Sequence, residues 1–500
     1  MGYTASLYGR SVAGDPHHKR EGPIVKVRLI EPAPPGTHVY SKVHLPRLGL
    51  PIIGATLVQQ GHDVRIYVAD LDPVDWEDIN SADVVGLTTT TSTATQAYEY
   101  ADALRARGIP TVAGGSHVTF MADEALQHVD YVARGEGGEQ LMLELIEVLQ
   151  GQRDPSSVAG LSYRTADGQT HHNPLRAPTE NLDDLPFPDL SLIQGSKRMR
   201  QTPIMTSWGC PFDCNFCSVT AMFGKKYRWR TPENVIAEIK EKQPKRVFFY
   251  DDNLAANRKR LKKLLNMIIE EDLQFSWSAQ VRTDVARDAE LLDLMRRSGC
   301  WMVYLGLESI NQETLDSYEK SQSVDDIVFA VKQLHEHGIK THGMFVLGAD
   351  SDTKGVVRQT VAFCVKHKVN TVMLNILTPL PGTPLFDELD AAGRIFDKRW
   401  HLYDALHVVY TPKNMTPYEL QRETMKGYMR FYSLRQWLKY LFTFRFAMLV
   451  LQSWGLSIVH AWRKDKSNRA YVKALKRLHL RAPHLAKPRP RSVDSDSRVW

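Results

Sequence analysis

Residues 204–218 read IMTSWGCPFDCNFCS, a short apolar run followed at once by Cys210, Cys214 and Cys217 in a C-x-x-x-C-x-x-C spacing. Three thiolates on one short loop can hold three irons of a cubane and leave the fourth without a protein ligand. A tetrahedral zinc site wants four closed ligands, and Cys300 and Cys364 stand alone in unrelated elements. Those two read as small buried residues. The run that feeds the loop opens a series, with strands expected at 204–207, 246–250, 274–278, 301–305, 341–347 and 371–377. Helical patterns such as 231–243 and 258–270 separate them. Strand–helix alternation implies right-handed crossovers and a parallel sheet, and these units are too few to close a full barrel. The expectation for residues 198–395 is a partial, open-sided (β/α)6 barrel.

Working outward, residues 24–150 alternate in the same way, with strands expected at 24–30, 63–68, 84–87, 111–113 and 131–133 and helices at 50–61, 94–107, 122–128 and 139–149. This is the pattern of an α/β, doubly wound, Rossmann-like domain, whose ligands sit at the C-terminal ends of the strands. The loops there are EPAPPGTH (31–38), TTTTSTAT (88–95), GGSHVT (114–119) and RGEGGE (134–139). Residues 151–197 are polar and turn-rich and include LDDLPFPDL (182–190), which suits a linker. Residues 396–475 are expected to form a helical C-terminal region, and 476–500 a basic, disordered tail.

With 500 residues, 43% hydrophobic and 24% charged, the chain is long enough for several cores and excludes a disordered or fibrous protein. The net charge of +6 makes no case for nucleic acid, because residues 461–500 alone hold 12 Lys and Arg against 3 Asp. Five cysteines, an odd number, do not make a disulfide framework and fit a reducing compartment. The first twenty residues lack the apolar core of a signal peptide, so the expected location is cytoplasmic. The longest uncharged apolar stretch, 446–462, contains Gln452, Ser453, Ser457 and His460 and falls short of the ~20 apolar residues of a membrane span.

The cysteine spacing, Phe216 before the third cysteine and the strand ahead of them resemble the radical S-adenosylmethionine (SAM) superfamily. The resemblance implies a 4Fe-4S cluster on Cys210, Cys214 and Cys217, with SAM chelating the open iron and split by one electron into methionine and a 5′-deoxyadenosyl radical. It places SAM contacts at Phe216, at Asp251, Asp252 and Asn253 after the second strand, at Gln280 and Arg282 after the third, at Glu308 after the fourth and at Leu347 on the fifth. Leu380-Pro381-Gly382-Thr383 resembles the sixth-strand motif beside the adenine. Read without the family, each is a strand-end charge, turn or helix cap.

A doubly wound domain ahead of such a core resembles the cobalamin-binding class of the superfamily. The residues it implicates are Thr37, His38, Thr90, Thr91, Ser92, Gly114, Gly115, His117, Gly135 and Glu136. Gly114 and Gly115 would let the backbone approach a planar ring, or merely turn the chain. Ligation of cobalt from below uses D-x-H-x-x-G after the first strand, which is absent here; the D-x-H at Asp15–His17 precedes that strand. The resemblance implies an enzyme, a C-methyltransferase drawing electrons from a flavodoxin or ferredoxin. Its rivals are a radical cyclase or oxidoreductase without methyl transfer and a cobalamin-binding sensor, which the intact cysteine triad argues against. Residues 428–500, aromatic and then basic, read either as a peripheral membrane contact, which favours a lipophilic substrate, or as a cap over the barrel opening.

Overall fold

The structure, a computed structural model, describes residues 23–33, 36, 45–442 and 446–481. Thr37, His38, the Asp15–His17 motif and the expected disordered tail beyond 481 lie outside the described residues. Strands β1 (Lys26–Glu31), β2 (Asp63–Val68), β3 (Val84–Thr88), β4 (Thr111–Gly114) and β5 (Tyr131–Ala133) form a parallel sheet in the order β2-β1-β3-β4-β5. Both faces are buried, which is why these strands read as near-continuous apolar runs. Ile30, Val85, Leu87 and Ala113 point into one core with helix Ala94–Arg105. Val27, Leu29, Val84 and Val112 point into the other, with helices Gly49–Gln59 and Gly138–Leu149. The chain steps from β1 outward to β2 and returns past β1 to β3, so the winding reverses between β1 and β3 and opens a crevice there.

The segment 151–197 does more than cross between domains. Strands β6 (Leu161–Arg164) and β7 (Thr170–His172) add an antiparallel hairpin to the edge at β5. Its turn contains Asp167-Gly168, with Gly168 at φ +83° where a side chain would be strained. At the other end of the chain the last helix, Lys466–Arg481, takes in residues 476–481, which the sequence reading assigned to the tail.

The second sheet comprises β8 (Thr202–Ile204) and, after a two-stranded ribbon of β9 (Ser207–Trp208) and β10 (Arg228–Trp229), β11 (Arg246–Phe249), β12 (Ser276–Val281), β13 (Cys300–Glu308), β14 (Lys340–Leu347) and β15 (Thr371–Ile376). Six of these strands run parallel in the order β8-β11-β12-β13-β14-β15, the open barrel expected. Phe249, Trp277, Val303, Leu305 and Phe345 pack under the surrounding helices. The alternate positions Phe248, Gln280, Met302, Tyr304, His342 and Met344 line the inside. The cysteine loop hangs between β9 and β10.

Two contacts lock the halves together. Arg228 on β10 donates to both carboxylate oxygens of Glu136, at 2.7 and 2.6 Å, with the two side chains only 3% and 6% exposed. Gly382, at φ +84°, lies against Phe120 so closely that a Cβ there would sit 2.4 Å from the ring. Removing one partner of a buried ion pair leaves an uncompensated charge, so Arg228→Ala is expected to cost about 3–5 kcal/mol. Urea unfolding reads this as a lower midpoint, and Arg228→Met combined with Glu136→Met is expected to recover most of the loss.

Candidate active site

The cysteine loop is held at its root by buried charge. Asp251, fully buried just after β11, accepts hydrogen bonds from the Thr206 N–H (3.1 Å), the Thr206 hydroxyl (2.7 Å) and the Ser207 hydroxyl. Burial pushes its carboxyl above the ordinary range, against the opposing pull of Arg260 and these donors. Arg260 donates to the carbonyls of Thr206 (2.9 Å) and Arg230 (2.8 Å). Arg230 donates to the carbonyl of Met205 (3.0 Å) and pairs with buried Glu238. Further along, Asn215 donates to the Ser317 carbonyl (2.9 Å) and accepts at its own carbonyl from Leu385 N–H (3.3 Å). The loop is thereby tied to segments that follow β13 and β15.

Cys210, Cys214 and Cys217 are free and half-buried, whereas Cys300 and Cys364 are free and buried in the core. Among the described residues no group of three or more His, Cys, Asp or Glu side chains converges to hold a single metal ion. Three thiols distributed along a loop are instead the donor set for three corners of a cubane. Burial pushes the Cys210 thiol up and the Cys217 thiol up to about 12, and the charge of Asp252 adds to both. Each holds its proton at neutral pH until a metal displaces it.

Of the residues expected at SAM, three surround this loop. Phe216 meets Tyr318 edge-on, ring centroids 4.8 Å apart. Arg282 lies over the Phe212 ring, 3.7 Å from its centroid, and donates to the Lys320 carbonyl. Asp252 has an exposed edge, yet the protein around it and then the charge on Asp251 raise its carboxyl to about 6. Asn253 is buried with its side-chain oxygen unpartnered. Gln280 faces the cavity described below. The structure uses the other three for the fold. Asp251 is the clamp just described; Leu347 is 1% exposed in the core; Glu308, at φ +58°, pairs with Lys320 Nζ at 2.6 Å with both side chains 9% exposed. Lys320 and Gln322 escaped the sequence reading. Gln322 donates to the carbonyls of Gly306 (3.2 Å) and Leu307 (3.0 Å) and accepts from the Thr283 hydroxyl (2.9 Å), bracing β13 against the end of β12.

A cavity of about 450 Å³ lies between the two sheets. Glu31, Asp70, Ser92 and Thr93 bound it at the β1/β3 crevice, the inner face of the barrel forms its floor, and Tyr428, Tyr432, Trp454 and Trp462 close it from the C-terminal helices. On the floor His342 Nδ1 sits 2.8 Å from the Thr371 hydroxyl, its ring 4.8 Å from that of Tyr304, and its Nε2 has no protein partner. Burial depresses this histidine to about 4, so it is neutral at neutral pH.

The residues expected at cobalamin divide. Ser92 is in the cavity wall. Thr91 is buried, and Thr90 N–H donates to the Thr93 hydroxyl (3.0 Å) in a cap ahead of helix Ala94–Arg105. Thr89 donates twice to the Gly114 carbonyl, at 2.7 and 2.9 Å, and Gly115, at φ +112°, approaches so near that a Cβ would lie 2.3 Å from the Thr89 carbonyl. The glycine pair therefore serves the junction of β3 and β4. Gly135, at φ +76°, donates to the Thr119 hydroxyl (3.1 Å). Two of the expected residues are engaged by other parts of the chain. His117 is 1% exposed, 3.5 Å from Glu124 and packed on Trp400 (centroids 5.0 Å), whose indole N–H donates to Glu124 (2.7 Å). It is enclosed by the C-terminal segment at Trp400. Glu136 is occupied by Arg228.

Cys210→Ala, Cys214→Ala and Cys217→Ala are each expected to lose the bound iron and SAM cleavage, while Cys300→Ala and Cys364→Ala keep both; iron content and deoxyadenosine formation are the readouts. His342 gives a pH dependence. Between its ordinary 6.5 and about 4, the unfolded chain takes up a proton that the folded chain refuses. Stability therefore falls as pH drops through that window, by at most about 3 kcal/mol, and is unaffected by this group above it. His342→Gln is expected to shrink the difference in unfolding free energy, read from urea curves at about pH 7 and about pH 5, by up to about 2 kcal/mol, because that interval crosses only part of the window.

The family model described as the radical SAM superfamily matches residues 204–363, and that of the B12 binding domain matches 38–143. A relative from Pyrococcus horikoshii, the uncharacterized methyltransferase PH0819, is 31% identical over 77% of this chain and 88% of its own. The bacteriochlorophyllide d C-12(1)-methyltransferase of Chlorobaculum tepidum is 29% identical over 75% of this chain and 82% of its own. Among solved structures, the cobalamin-dependent S-adenosylmethionine radical enzyme OxsB with aqua-cobalamin bound shares the fold at a TM-score of 0.66 and 14% identity, over 91% of this chain and 76% of that one. The cysteine loop between β9 and β10 and the doubly wound domain ahead of it thus have one reading: the chain belongs to the radical SAM superfamily, in the class that carries a B12-binding domain.

Proposed function

We propose that this enzyme methylates an unactivated carbon of a lipophilic substrate held in the cavity between its two sheets. The observation that carries the reading is the cavity itself. It joins the β1/β3 crevice, where a doubly wound domain binds its ligand, to the inside of the barrel that bears the cysteine loop, and its walls are Phe248, Tyr250, Tyr304, Met302, Met344 and Met373. When bound, the cluster and SAM supply the radical, and cobalamin supplies the methyl group.

The chain's own residues position and exclude. Cys210, Cys214 and Cys217 would hold the cluster, with Phe216, Asp252 and Arg282 around it. Ser92 and Thr90 would meet the corrin at the crevice. The sequence holds no D-x-H-x-x-G motif, so cobalamin would be held without a histidine from that motif, and buried His117 packs on Trp400 and Glu124. The aromatic and thioether walls keep water from a radical, and neutral His342 beside Thr371 offers the floor one polar group to orient the substrate. A low-potential donor, flavodoxin or ferredoxin, would supply the electron in a cytoplasmic setting.

The test is anaerobic incubation of the reconstituted, corrin-loaded protein with methyl-labelled SAM and a host lipid extract. Label is expected in the organic fraction, dependent on added cobalamin and reductant. Tyr304→Ala, which opens the wall, is expected to lower label transfer more than deoxyadenosine formation. Deoxyadenosine with no label in any product would replace methylation by radical ring closure or oxidation.

A further inference from the structure

Helices Leu434–Phe442 and Phe446–Lys464 form a hairpin that closes one side of the cavity and leaves its other side in solvent. They are joined by Trp437 Nε1 donating to the Ser453 hydroxyl at 2.9 Å. Met448, Leu449, Val459 and Trp462 are buried beneath them. On the outside, Leu434 (65% exposed), Leu438 (38%) and Leu441 (36%) fall on one helical face, with Phe442 (75%) beside them. Val450 (68%) and Trp454 (40%), four residues apart, continue the stripe on the second helix. Scattered apolar residues are normal on a surface; two aligned stripes on adjoining helices are not.

The charge around this face has one sign. Residues 431–464 contain five Lys and Arg and no Asp or Glu. A second copy of the chain would bring like charge to like, whereas an anionic lipid surface brings the opposite charge and an apolar interior together. Among the described residues no helix is long and apolar enough to cross a membrane, so any lipid contact of the hairpin would lie along a leaflet rather than through it. Trp454 belongs both to the outer stripe and, with Leu451 and Ile458, to the cavity wall.

We propose that this hairpin docks in the headgroup layer of an anionic membrane leaflet, with Leu434, Leu438, Phe442 and Val450 inserted, so that the cavity wall at Trp454 faces the lipid. Uptake of substrate from the leaflet rests on the lipophilic-substrate reading above; the docking does not.

The experiment sediments the full-length reconstituted protein with vesicles of phosphatidylcholine alone and of phosphatidylcholine with phosphatidylglycerol, at low and high salt. The protein is expected to pellet with the anionic vesicles, less so at high salt. The variant L434E/L438E/F442E is expected to partition more than about tenfold less while keeping its iron and its deoxyadenosine formation. Equal partitioning of wild type and variant, or indifference to phosphatidylglycerol, overturns the proposal. So does a wild-type dimer by light scattering that the variant lacks, without vesicle binding, since the face is then an interface between copies. Methyl transfer to a detergent-dispersed lipid extract is scored separately: its failure with vesicle binding intact rejects the lipophilic substrate and leaves the docking in place.

Discussion

A carboxylate that water does not reach governs the placement of the cysteines. Asp251 takes three hydrogen bonds from Thr206 and Ser207, and Cys210 follows three residues after Ser207. A loop that must present three thiols to a cluster cannot be left to its own conformational freedom, which costs roughly 1–2 kcal/mol per residue to fix. Here the root is fixed by buried groups, Asp251 with Arg260 and Arg230 with Glu238, that satisfy the backbone between β8 and β10. Burying these charges is expensive by itself and is tolerable because nearly every one is paired or hydrogen-bonded. The same ribbon carries Arg228, which reaches across to Glu136. One element therefore both positions the cluster loop and, together with the Gly382–Phe120 contact, docks the B12-binding domain.

The elements that repeat with a clear period were legible in the sequence. The strands at Asp63–Val68 and Tyr131–Ala133 and the helix Arg258–Glu270 have the boundaries read from the pattern. The hairpin β6–β7 was missed although its Asp167-Gly168 turn, between short runs at 161–164 and 170–172, was a usable signal. Within the site, spacing identified the thiols, because a cluster loop is local. What each charged neighbour does was not local. Glu136 meets Arg228, His117 meets Trp400, and Glu308 meets Lys320 through a chain path at left-handed Glu319 and Ser321. Strand-end position correctly put these residues near the top of the sheets, but position alone does not say whether a side chain turns toward a ligand or toward a partner elsewhere in the chain. His342 carried a weaker signal, its alternation with Met344 on β14, which sets both on the inner face.

An incomplete barrel has an exposed edge, and here that edge organises everything beyond it. On β15, Val372 N–H and Leu374 N–H donate to the hydroxyls of Tyr432 (3.0 Å) and Tyr428 (2.8 Å), and the Val372 carbonyl accepts from Tyr432 (2.9 Å). Side chains take the place of the next strand, which blunts an edge that would otherwise pair with another chain. Tyr428 lies in the last turn of helix Pro417–Phe431 and Tyr432 is its C-cap, so satisfying the strand edge also fixes where that helix ends. The helical hairpin leaves from that point, and Gly455 lets it pass close over Tyr432, where an added Cβ would lie 2.2 Å from the ring. The hairpin is thus laid across the open side of the barrel, and the gap left by the missing strands becomes an aromatic-walled chamber. A closed barrel would have filled that space with its own side chains. The chamber is a consequence of the barrel's incompleteness, and the residues that cap its edge are among those that give it its outer wall.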